Sequence, residues 1–158
     1  ILVHDNNKKI LPTLKSRCLN FKINLSFNES IAISDLLLNN DVLKLINNDL
    51  INYYKTHGYL IRLINFSKEK KINLNQFNLK RFLSYLIDNN LYKKNKFIKD
   101  VIIDYIELFF LKKYKQSTSK KNMINIYYYF INKINNVNKF NLDEESLFME
   151  FKSKILNG

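Results

Sequence analysis

The chain has 158 residues, with two glycines, one proline, one cysteine and no tryptophan. So few glycines and prolines exclude low-complexity linkers and glycine-rich loops. No Gly-x-x-x-x-Gly-Lys-Ser/Thr phosphate loop is present, so the segment is not expected to bind or hydrolyse ATP by itself. A lone cysteine excludes a disulfide framework and a multi-cysteine zinc site, and it suits a reducing cytoplasm. No apolar run approaches the ~20 residues of a membrane span. Runs such as 101–103 and 108–111 are cut short by Asp104, Glu107 and Lys112. The first residues lack the basic-then-apolar pattern of a signal segment. Acidic residues are also few, and no cluster of them suits a catalytic Mg²⁺. Lys and Arg number 26 against 14 Asp and Glu, for a net charge of +12.

What is present is a folding composition, 46% hydrophobic and 25% charged, long enough for one domain or two small ones. Lys, Asn, Ile, Leu, Tyr and Phe dominate, and Ala32 is the single alanine. That bias marks an AT-rich genome, so codon drift accounts for part of the positive charge. The chain begins at Ile1, and a fragment with further chemistry upstream is expected.

Residues 1–4 suggest the end of a buried strand, and Asp5-Asn6-Asn7 a turn. Residues 9–15 suit a short helix with Pro12 in its first turn. Residues 19–25 alternate apolar and polar, which predicts a strand with one buried face. From Ser26 the period becomes helical. Ser26 and Glu29 form a capping box, and the helix behind it is expected to bury Ile33, Leu36 and Leu37. A second helix is expected from Val42 through Ile46 toward Tyr53 and Tyr54. Gly58 is expected to stop or re-aim the chain before a third helix over 59–70. The polar stretch 72–76 is a candidate boundary. Four stronger patterns follow. They place on buried faces Phe82, Leu83, Leu86 and Ile87; then Ile98, Val101, Ile102, Tyr105, Ile106 and Phe109; then Met123, Ile124, Tyr127, Phe130, Ile131, Ile134 and Val137; then, after Asp143, Leu147, Phe148, Phe151 and Ile155.

The most specific feature is Leu11-Pro12-Thr13-Leu14-Lys15-Ser16-Arg17-Cys18. It resembles the Ser-Arg-Cys motif of AAA+ clamp-loader subunits of bacterial DNA polymerase III, and residues 1–4 fall where that family has its sensor-1 strand. The resemblance implies a mainly α chain in three parts: the C-terminal end of an AAA+ core over 1–25, a three-helix lid over 26–71 and a helical collar for oligomerisation over 73–158. It also implies a role for Arg17. In the family this arginine reaches across a subunit interface to the γ-phosphate of ATP held by a neighbour. A guanidinium suits that task because it is always charged and presents a planar fork to phosphate oxygens. The family's ATP-hydrolysing gamma/tau-type subunits differ from this chain at two places. Their sensor-1 polar pair is replaced by His4-Asp5. Their sensor-2 arginine is replaced by Ile61, with Arg62 one residue late and turned by ~100°. Both departures favour a non-hydrolysing accessory subunit. The expected partners are gamma/tau-type and delta-type clamp-loader subunits, the sliding clamp and primed DNA. No cofactor or metal is expected in this segment, since the neighbouring subunit holds the ATP. The surrounding enzyme would be the DNA-directed DNA polymerase holoenzyme, a nucleotidyltransferase of the cytoplasm.

Each residue also has a plainer reading. Arg17 on its own could pair with a surface carboxylate. Ser16 is expected to hydrogen-bond to backbone, and Cys18 to pack as a small hydrophobe beside Leu19. Tyr127-Tyr128-Tyr129 suits the core and rim of one helix. The lysine-rich stretches 68–71, 93–96, 112–115 and 120–121 are solvated faces or a path for a phosphate backbone. The alternatives to the accessory subunit are a fragment of a gamma/tau-type ATPase and a free-standing basic helical nucleic-acid-binding domain.

Overall fold

A computed structural model describes residues 10–19, 21, 25–117, 119–140 and 142–157. The chain is mainly α. Eight α-helices occur among the described residues: α1 (Pro12–Lys15), α2 (Phe27–Leu38), α3 (Val42–Leu45), α4 (His57–Glu69), α5 (Leu79–Asp88), α6 (Lys96–Gln116), α7 (Lys120–Phe140) and α8 (Glu144–Phe151). Single 3-10 turns cover Asn48–Leu50 and Leu74–Gln76, and α8 runs on into a π turn over Lys152–Leu156.

Polar side chains set where the helices begin. The Ser26 hydroxyl accepts the Glu29 amide, while Glu29 accepts the Ser26 amide at 2.7 Å, so the expected capping box closes. Thr56, Asn78, Asn95 and Asp143 cap α4, α5, α6 and α8 with side-chain oxygens that accept first-turn amides, without the reciprocal bond. Gly58 does not stop a helix. It lies in the first turn of α4, because Thr56 caps that helix two residues earlier. Helix ends use other residues where glycine is usual. Asn39, Lys71 and Asn90 take positive φ at 51°, 55° and 51°. The amides one residue on close the ends, Ile72 N on Ser67 O at 2.8 Å and Leu91 N on Leu86 O at 3.1 Å.

Two sequence expectations about the first helices fail. α2 buries Ser30, Ile31 and Ser34, while Leu36 and Leu37 are exposed and Ile33 is half-buried. Ser34 packs with its Oγ donating to Ser30 O at 2.7 Å, so this buried hydroxyl is satisfied on the side of the helix that meets α4. The second helix stops after Leu45 rather than continuing to Tyr54. There the Asn47 side chain accepts the Asp49 amide at 2.9 Å and opens a 3-10 turn. Val42, Ile46, Leu50 and Ile51 are still all buried.

The later patterns fare better. α5 buries Phe82, Leu83, Leu86 and Ile87, and α6 buries all six expected residues together with Phe97, Leu108 and Phe110. So much burial makes α6 the central helix, packed by α5 and α7. α7 buries Phe130, Ile134 and Val137, with Met123, Ile124, Tyr127 and Ile131 half-buried. After α8 the buried position is Leu156, and Ile155 is only half-buried. The π turn, closed by Asn157 N on Lys152 O, accounts for this by adding a residue to the repeat.

The stretch 72–76 is tied back to the first helices. Asn47 N donates to Leu74 O, and Asn75 Nδ2 donates to Lys44 O at 3.1 Å. Tyr105 Oη donates to Leu50 O at 3.0 Å, and Lys112 Nζ reaches Asp49 O and Oδ1, each at 2.8 Å. Buried residues from Ile31 to Leu156 form one cluster across this stretch.

A polar group locks α7 to α8. Glu150 accepts from Lys133, from Tyr129 Oη at 2.6 Å and from Lys154 at 2.7 Å. These donors, Lys133 first, hold its carboxyl down to about 2, below the ordinary 4.5. A lowered folded pKa adds stability that is present above the unfolded value and is lost as pH falls through the folded one. Glu150→Gln is therefore expected to cost about 0.5–1 kcal/mol at neutral pH. It should also flatten the acid limb of stability between roughly pH 4.5 and 2, read by urea unfolding across that range.

Candidate functional site

α1 presents the Ser-Arg-Cys segment at the surface. Pro12 opens the helix, where its missing amide costs nothing, and none of the helix's residues is buried. Ser16 Oγ donates to Thr13 O at 3.1 Å and Arg17 N donates to Leu14 O at 3.1 Å, so the turn closes on its own backbone. Arg17 is exposed and forms no ion pair among the described residues. Cys18 is exposed too, rather than packed, as are its described neighbours Leu19 at 88% and Phe21 at 85%. The strand expected over 19–25 lies mostly outside the described residues. Residues 1–4 and the sensor-1 pair His4-Asp5 lie wholly outside them.

The sensor-2 region is inside the bundle's contacts. Ile61 is half-buried on α4. The Arg62 guanidinium lies over the Phe97 ring of α6, 4.0 Å from its centroid. That stack holds α4 against α6.

Several lysines of the basic stretches are engaged within the fold. Lys93 pairs with Glu145 at 2.7 Å and Lys99 with Glu144, so acids in the first turn of α8 neutralise part of the 93–99 surface. Lys112 is held by Asp49, and Lys152 pairs with Asp88. In the tyrosine run, Tyr127 is half-buried, while Tyr128 and Tyr129 are 59% and 42% exposed.

A site not singled out from the sequence is a cleft of about 390 Å³ between α6, α7 and the loop holding Asn52 and Tyr54. Asp104, Glu107 and Tyr114 stand on one wall, and Tyr127 and Tyr128 on another. Tyr54 is set by an Asx turn, its amide on Asn52 Oδ1 at 3.1 Å. Lys55 pairs with Asp104 at 2.7 Å. Burial pushes the Asp104 carboxyl up despite this partner. Burial, and then the nearby Asp104 charge, push up Glu107. The sequence shows only two carboxylates at i, i+3 that interrupt the apolar residues of α6, Asp104 half-buried and Glu107 exposed, and nothing in it brings the other walls to them.

Among the described residues no three His, Cys, Asp or Glu side chains gather as metal ligands, and no helix is long and apolar enough to cross a membrane. Comparison with family models, curated proteins and solved structures finds no match.

Proposed function

We propose that the chain is the lid and collar portion of a delta-prime-type accessory subunit of the bacterial DNA polymerase III clamp loader, with Arg17 as a trans arginine finger. The observation that carries this reading is the Ser16-Arg17-Cys18 turn. It follows a proline-opened helix, closes on its own backbone and leaves Arg17 exposed, with no ion pair among the described residues. The helix order lends support, with α2, α3 and α4 as the lid and α5 to α8 as the collar. The departures at His4, Asp5, Ile61 and Arg62 favour a subunit that senses ATP on a neighbour rather than hydrolysing its own. In this reading Arg17 meets charge shifting off the γ-phosphoryl group of that neighbour's ATP. The collar helices complete the ring that opens the sliding clamp on primed DNA.

The test is a reconstitution of the full-length protein with gamma/tau-type and delta-type partners, clamp and primed DNA. Arg17→Ala is expected to lower steady-state ATP hydrolysis roughly tenfold or more with assembly intact. Arg17→Lys should not restore it fully, since an ammonium lacks the planar fork. Unchanged hydrolysis in an assembled complex overturns the finger. No assembly, with tight and strongly salt-dependent DNA binding by the chain alone, favours the free-standing nucleic-acid-binding domain instead.

A further inference from the structure

The cleft between α6 and α7 plays no part in the function proposed above. It is a place where a strongly basic chain turns acidic. Asp104, half-buried, and Glu107, exposed, share its wall, and Lys55 forms its ion pair with Asp104 while its charge also reaches Glu107. Glu107 forms no ion pair among the described residues. The neighbouring walls are tyrosine rings, whose negative faces attract cations. The fold already uses this attraction nearby, with Lys120 Nζ 5.6 Å from the Tyr114 ring centroid and Lys133 Nζ 4.9 Å from that of Tyr129.

We propose that this cleft binds an organic cation, an alkyl ammonium or guanidinium group, with its charge at Glu107 and its stem against Tyr127 and Tyr128. The volume of about 390 Å³ falls in the range of small-ligand sites. Two carboxylates repel an anion. A neutral ligand would cover Glu107 and leave it without a partner, which is costly. Burial, and then the Asp104 charge, raises the Glu107 carboxyl although Lys55 acts the other way, and a bound cation would add to that counter-charge. The cation has two possible sources with this chemistry, a basic side chain of a partner protein and a free small amine.

Titration of the full chain with butylguanidinium tests the proposal, read by backbone amide shifts over 104–111 and 123–128. Saturable shifts are expected with butylguanidinium and not with its neutral isostere butylurea. Glu107→Gln is expected to weaken binding roughly fivefold or more, and Glu107→Asp to keep most of it. Equal binding of butylurea, undiminished binding by a folded Glu107→Gln chain, or no binding of any probe overturns the proposal. Should Glu107→Gln fail to fold, the comparison of cation with isostere on the native chain decides alone. Tighter binding of acetyl-Gly-Arg-Gly-amide than of butylguanidinium assigns the cation to a partner's side chain, and the reverse assigns it to a small amine. Either order supports the cation site.

Discussion

Phe151→Ala is expected to remove about 3–5 kcal/mol of stability. Phe151 is fully buried at the end of α8, and its ring centroid lies 5.4 Å from that of Phe130, 5.8 Å from Phe109 and 5.9 Å from Phe110. Three helices therefore meet through one side chain: α6 at Phe109 and Phe110, α7 at Phe130, and α8 at Phe151 itself. The contacts are largely edge-to-face, which adds attraction beyond the area removed from water. Truncation leaves a cavity that three separately anchored helices cannot close together, so the upper part of the range applies. In a chain of this size each kcal/mol shifts the melting temperature by roughly 2–4 °C, so a fall of about 10 °C or more is expected by thermal unfolding. A loss under about 1 kcal/mol in urea would mean that the helices are held elsewhere.

The second large effect is expected from Tyr105→Phe. The ring is fully buried, packed edge-on to Phe82 at 5.8 Å, and the hydroxyl donates to Leu50 O. Burial pushes the phenol up, so it stays protonated and keeps donating. Phenylalanine keeps the ring and deletes only the donor, leaving the Leu50 carbonyl without it in a dry environment. A loss of about 1–3 kcal/mol follows. The position of the bond makes a sharper prediction possible. It joins α6 to the 3-10 turn of Asn48–Leu50, so amide hydrogen exchange should quicken at residues 46–51 before it does in α5 or α7. An unchanged urea midpoint, or a uniform rise in exchange across the chain, would remove the bond from this role.

The helices that were legible from sequence and those that were not differ in one physical respect. In α5 the apolar residues recur at helical spacing with polar residues between them, so the pattern has one solution; α6 is buried on most sides, so the face chosen for it was bound to be a buried one. In α2 apolar residues surround the helix, at Ile31, Ile33 and residues 36–38, so the period could not choose a face. Small serines were buried instead, Ser34 with its hydroxyl satisfied by Ser30 O. The spacing of Val42 and Ile46 suggested a helix running on toward Tyr54, but the Asn47 side chain turns the chain into a 3-10 turn that keeps Leu50 buried without it. Ile155 lost its buried place to Leu156 because a π turn, unlike a side-chain cap, leaves no mark in composition. The Ser16–Cys18 motif was legible because it is contiguous. The cleft was not, because its walls come from three separate segments that meet only after folding.

The three helix ends at Asn39, Lys71 and Asn90 have a further consequence, for how this protein can evolve. A non-glycine residue at positive φ is strained, asparagine less so than lysine. Lysine and asparagine are spelled by adenine-rich codons, and glycine is reached from them only through changes to guanine. At each of these ends glycine lies two nucleotide changes away, so no single change relieves the strain by that route. Lys71 is the site where that replacement would stabilise the fold most readily, because lysine gains most from it.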